Sequence, residues 1–133
     1  MVSPRLSSIF VVCSNLARSA RFYNSLGFVE KKKTKRSQVL AAHGGLEIHL
    51  HGELTVQEQR DFGVSQEPGS RGLVQSYEVP DIQDLATRLS QESILFGPQE
   101  TSWGHKILLL EDPDGHRLEL RESSPSRTNV LPG

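Results

Sequence analysis

The chain writes one plan twice. Residues 6–54 open on an apolar, β-like run (LSSIFVVCS) and continue into a helical pattern (NLARSARFYNSL). A charged strand (VEKKKTKRSQVLAA), a Gly44-Gly45 turn and the strand LEIHLHG follow. Residues 73–122 repeat the order with the strand LVQSYEV, a helix after Asp81, the stretch ESILFGPQETS, then KILLLED, a DPDG turn and the strand HRLELRE. Sliding one half over the other aligns Asn15 with Asp81, an offset of 66, and residues 46–50 with 116–120, an offset of 70. The repeat predicts an α+β chain of two β-α-β-β-type halves joined by a polar stretch over 52–72. A half of roughly fifty residues struggles to bury its own apolar face, so the halves are expected to pack together or against another chain.

Local signals agree with that division. Leu16, Ala20, Tyr23 and Leu26 fall on one helical face, Asn15 is placed to cap it, and Gly27 stands where a positive φ is wanted. Asp81 caps the second helix, with Ile82, Leu85 and Leu89 on its apolar face and Asp84 as a capping-box partner. In the turn 112–115, Pro113 fixes the first corner and Gly115 supplies the positive φ on exit. The joining stretch has room for a short helix at Val56–Phe62.

Composition narrows the function classes. Hydrophobic residues make up 35% and charged residues 23%, with net charge −1, which fits a globular chain and gives no general reason to bind nucleic acid. The longest apolar runs fall far short of the roughly 20 residues of a membrane span, and the N-terminus has too short an apolar stretch for a secretory signal. Cys13 is the single cysteine, so an internal disulfide is excluded and a cytoplasmic location is expected, with the thiol buried and inert. The basic run Lys31–Lys33, with Lys35 and Arg36, reads as protection of an edge strand.

Strand parity sorts the polar residues. Leu46, Ile48 and Leu50 point one way and Glu47, His49 and His51 the other; Leu118 and Leu120 oppose Arg117, Glu119 and Arg121. The apolar faces belong under the helices, so six ionisable residues share the other face of two equivalent strands. They line either a solvated surface or, if the sheets curl, a cleft. His49 with His51 is a weak metal pair or a surface pair, and Trp103 before a strand either seals the core or offers a stacking surface. His43, His105 and His116 carry no motif.

NLARSARFYNSLGF resembles the opening of a vicinal-oxygen-chelate module through Asn15-Leu16, Ser19, Phe22-Tyr23 and Leu26-Gly27-Phe28, and EDPDGHRLEL at 111–120 resembles the closing signature of that superfamily. Trp103-Gly104 stands where related members carry the same pair. The resemblance spans about residues 6–122 and implies two βαβββ modules forming a curved mixed sheet around a cleft, commonly as a homodimer. It implies a single domain over 1–122 (module one 6–54, linker 52–72, module two 73–122) and a flexible tail at 123–133.

Members include glyoxalases, ring-cleaving dioxygenases and bleomycin-binding proteins, the enzymes holding a divalent metal on up to four strand residues. Here the resemblance puts those positions on Ser8, His49, Val74 and Glu119, and neither Ser8 nor Val74 is a metal ligand. The expectation is therefore a small-molecule-binding protein of the glyoxalase/bleomycin-resistance type without metal or other cofactor, its cleft lined by Ser8, Phe10, Glu47, His51, Val74, Ser76, Trp103, Arg117 and Arg121. The arginines favour an anionic ligand. Enzyme activity stays open: the alternative is a metal-dependent glyoxalase- or dioxygenase-type enzyme using His49 and Glu119 with zinc, nickel, iron or manganese. A metal-free proton-transfer pair of the same two residues and an interaction module without ligand are further alternatives.

Overall fold

The computed structural model describes residue 4 and residues 6–42, 44–67, 72–101 and 104–122. His43, Trp103 and the tail 123–133 lie outside the described residues. The chain divides into two units, Met1–Pro68 and Gly69–Gly133.

In the first unit, β1 (Ser8–Val12) leads into α1 (Leu16–Ser25), followed by β2 (Val29–Lys33), β3 (Ser37–Ala41), β4 (Glu47–His51) and α2 (Val56–Phe62). The sheet order is β1-β4-β3-β2, with β1 parallel to β4 and the other pairs antiparallel. Asn15 caps α1, its Oδ1 accepting from the Arg18 amide at 3.0 Å. The helix buries Ser19, Phe22 and Tyr23. Its buried stripe is thus turned from the expected one, with Leu16, Ala20 and Leu26 only half-buried at the flanks. Beneath it lie Val11, Leu40, Ile48 and Leu50. Removing that apolar surface from water holds the unit together.

The stretch 29–42, expected as one charged strand, is a hairpin. Thr34 turns it: its Oγ1 accepts from the amides of Arg36 (3.3 Å) and Ser37 (3.0 Å), and the Thr34 amide donates to the Ser37 carbonyl. β2 is the exposed edge strand carrying the lysine run.

The second unit repeats the design: β5 (Val74–Val79), α3 (Ile82–Arg88), a single 3-10 turn at Gln91–Ser93, β6 (Ile94–Glu100), β7 (Lys106–Glu111) and β8 (Arg117–Glu122), in the order β5-β8-β7-β6. Asp81 caps α3 as expected, accepting from the Asp84 amide at 3.0 Å. Ile82, Leu85 and Leu89 are buried, as are Leu108, Leu110, Leu118 and Leu120 of the sheet. β6 was not legible as a strand because Gly97-Pro98 breaks its pattern, and its register shifts twice against β7. Gly97 has φ +94, and a Cβ there would meet the Ile107 carbonyl at 2.6 Å, so only glycine fits. Among the described residues, no helix is long and apolar enough to cross a membrane.

Candidate functional site

Each unit turns one sheet face into its core and leaves the other polar. In the first unit the parallel register sets Ser8 beside Glu47, Phe10 beside His49 and Val12 beside His51. Ser8, Phe10, Glu47, His49 and His51 therefore share the face opposite Ile48 and Leu50, as parity predicts. Glu47 accepts from Lys31 Nζ at 2.8 Å and from His49 Nε2 at 3.0 Å. The hydrogen bonds from Lys31 and then from His49 hold its carboxyl below the ordinary 4.5. As a carboxylate, Glu47 can only accept, so His49 carries its proton on Nε2 and, when neutral, presents Nδ1 as a bare lone pair.

His51 is fixed the other way round. Its Nδ1 lies 3.1 Å from the Gly52 carbonyl, which also can only accept, so Nδ1 carries a proton and, when the ring is neutral, Nε2 is the bare nitrogen. The His51 ring also lies against Phe10, with centroids 5.4 Å apart and planes 26° from parallel. Phe62, at the end of α2, also stacks on Phe10, with centroids 5.6 Å apart and planes 19° from parallel.

Sequence reasoning found Phe10 and His51 but missed Phe62 and Lys31. The available signals were a lone phenylalanine ending a polar helix and a lysine in a strand paired two strands away from Glu47.

In the second unit Val74, Ser76 and Glu78 of β5 lie beside Arg117, Glu119 and Arg121 of β8. Glu119 accepts from Ser76 Oγ at 2.9 Å and from Arg121 at 3.1 Å. Arg117 pairs with Glu111 at 3.3 Å. Both arginines thus already face carboxylates, which reduces the positive potential expected of them. A hollow of about 360 Å³ opens among Ser76, Tyr77, Glu78, His105 and Arg121. The backbone of His105 is pinned by Thr101, whose Oγ1 accepts from its amide at 3.1 Å. Its Nδ1 is buried without a hydrogen-bond partner among the described residues. Burial pushes the Tyr77 phenol well above its ordinary range. His105 and Glu78 carried no sequence signal, since neither belongs to a motif.

The positions assigned to a metal by resemblance offer a hydroxyl, an imidazole, an isopropyl group and a carboxylate. That donor set does not fit a catalytic divalent ion, for which three protein ligands are the usual minimum. Among the described residues, no three His, Cys, Asp or Glu side chains gather closely enough to hold one.

Two four-stranded mixed sheets, each with a helix on its apolar side and the same strand order, define an α+β protein of repeated βαβββ units. The chain belongs to the Glyoxalase/Bleomycin resistance protein/Dioxygenase superfamily, whose family model matches residues 5–120. No curated protein matches it. Among solved structures, it is similar to a protein of unknown function from Agrobacterium tumefaciens str. C58 (21% identity, TM-score 0.71, covering 93% of this chain and 98% of that one). It is also similar to a glyoxalase/bleomycin resistance protein/dioxygenase family enzyme from Burkholderia phytofirmans PsJN (16%, TM-score 0.71, 90% and 98%). A third similar structure is TnmS3, an antibiotic binding protein from Streptomyces sp. CB03234 (19%, TM-score 0.66, 93% and 99%). At these identities the likeness to solved structures concerns the fold.

Proposed function

We propose that this protein binds a small organic molecule on the polar faces of its sheets and does so without metal chemistry. The observation that carries this reading is the hollow of about 360 Å³ bordered by Ser76, Glu78, His105 and Arg121. Its volume falls within the roughly 300–1,000 Å³ of small-molecule sites. The residues at the family's metal positions argue in the same direction, and the antibiotic-binding neighbour is an instance of the fold used for ligand capture. An anionic group on the ligand would be met by Arg121, shared with Glu119. The reading includes a cytoplasmic homodimer.

The test combines elemental analysis of protein purified without chelator with melting curves across a metabolite panel, with and without EDTA. A ligand present at about 100 times its Kd should stabilise the fold by about 2.7 kcal/mol. That stabilisation should survive EDTA, and Arg121→Gln should reduce it. Stoichiometric zinc, nickel, iron or manganese, lost in Glu119→Gln, would instead establish the rival reading of a metal-dependent enzyme built on His49 and Glu119.

A further inference from the structure

The two sheets share one strand order, so β2 and β6 hold the same place, at the open end of each. The chain treats these two edges differently. β6 carries Pro98, which has no amide to offer a further strand, and its register shifts twice against β7. It holds no lysine or arginine. β2 reads Val-Glu-Lys-Lys-Lys with every residue exposed, and it has a register shift of its own between Glu30 and Lys32. An edge of this fold is thus protected without cations, and the lysines of β2 come on top of such protection.

The charges at this edge are sorted. Five of the 15 basic residues fall within residues 31–36, in a chain of net charge −1. Lys31 pairs with Glu47 at 2.8 Å and Arg36 with Glu58 at 2.6 Å. Lys32, Lys33 and Lys35 pair with no carboxylate among the described residues. Glu30, the one acid of the strand, accepts from Gln38 Nε2 at 2.7 Å. Lys32 lies opposite Val39 and Lys33 opposite Gln38, so alternation sends them to the two faces of the sheet. Acids at every second position of an added strand would meet only one of the two; consecutive acids would meet both. Residues 29–37 hold no aromatic ring on which a nucleic-acid base could stack.

We propose that β2 docks an extended acidic segment of a partner protein, which adds along the open edge and sets consecutive carboxylates against Lys32, Lys33 and Lys35. Main-chain hydrogen bonds align the segment, and the three unpaired ammonium groups select its charge. The same charges turn away a second copy of β2, whose lysines would lie beside them. The five residues of β2 span about 17 Å, which matches a partner segment of about five residues. This docking edge is independent of the small-molecule reading above.

The test titrates the full chain with blocked, fluorescently labelled peptides and follows anisotropy, with amide shifts in ¹H–¹⁵N NMR spectra to locate the contact. Hexaglutamate should bind roughly tenfold more tightly than hexaglutamine at low salt, as three exposed ion pairs acting together allow, and should lose most of that advantage at about 0.5 M salt. A peptide alternating glutamate with valine should fall between the two. Hexaglutamate methylated on alternate amide nitrogens keeps its charge and should bind about fivefold more weakly, because it cannot complete the main-chain hydrogen bonds. The shifted amides should lie within residues 29–36. A chain carrying Lys32→Gln, Lys33→Gln and Lys35→Gln should lose the preference for hexaglutamate with its melting temperature unchanged, since all three side chains are exposed and unpaired. Equal affinity for hexaglutamine, equal affinity for the methylated peptide, or undiminished binding by the triple variant would overturn the proposal. So would a six-nucleotide oligothymidylate that binds as tightly as hexaglutamate, which would make β2 a surface for nucleic acid.

Discussion

Asp112 ties the last hairpin of the second unit together through one oxygen. Its Oδ1 accepts from the amides of Asp114 and His116, each at 2.9 Å, while its own carbonyl takes the Gly115 amide. The side chain is 3% exposed, so water cannot replace it. Asp112→Ala should therefore destabilise the protein by roughly 2–4 kcal/mol, the cost of leaving two amides without a charged acceptor. Asp112→Asn retains an acceptor at that position and should recover about half of the loss. Urea denaturation of the three proteins measures this; equal midpoints would show that the turn holds without the carboxylate. At this scale the sequence was legible where the chemistry is local. Asp112-Pro113-Asp114-Gly115 announces its turn, and Gly115 has the expected positive φ of 87°. The partners of Glu47 and Glu119 were not legible, because they depend on which strands the hairpins bring alongside.

Among the elements, α2 owes most to polar contacts and least to burial. A seven-residue helix is far below the length that sustains itself in water. Thr55 Oγ1 accepts from the Glu58 amide at 3.0 Å, and Glu58 Oε1 accepts from the Thr55 amide at 2.8 Å. Gly63, at φ 66°, closes the C-terminal end. The backbone hydrogen bond from Thr55, and next the side-chain bond from Arg36, keep the Glu58 carboxyl below the ordinary 4.5. A depressed folded-state value means that the contribution is complete above 4.5 and is lost as the pH falls through that lower value. Amide exchange should then show the Gln59 amide, bonded to the Thr55 carbonyl, losing protection in acid before the sheet amides do. Thr55→Ala should produce the same local opening at neutral pH, by about 1 kcal/mol, with the global urea midpoint little changed. If the sheet amides open together with Gln59, α2 is coupled to the core and the reasoning fails.

This helix was placed at Val56–Phe62 from the sequence, although its capping box was not read there. The hairpin at Thr34 was not, because its turn uses a threonine hydroxyl rather than glycine or proline. Nor was the stacking of Phe62 on Phe10, fifty-two positions earlier, which depends on where the chain brings α2.

For the whole molecule, the repeat has an energetic consequence that the strand order makes concrete. Each unit has four strands with one apolar face, covered by a helix of ten residues in the first and seven in the second. Units this small supply only about 3–5 kcal/mol from a single core. Meanwhile Leu6, Phe10 and Phe62 in the first unit, and Leu73, Val74 and Phe96 in the second, leave large side chains open. A chain with this distribution gains by association, which is the physical basis for the proposed homodimer. Dimerisation ties stability to concentration: a tenfold rise in protein should lift the melting midpoint by about 2–3 °C. Sedimentation at the same concentrations should show the dimer dissociating as the midpoint falls. A midpoint independent of concentration, with a single monomeric species throughout, would mean that the open side chains serve ligands alone.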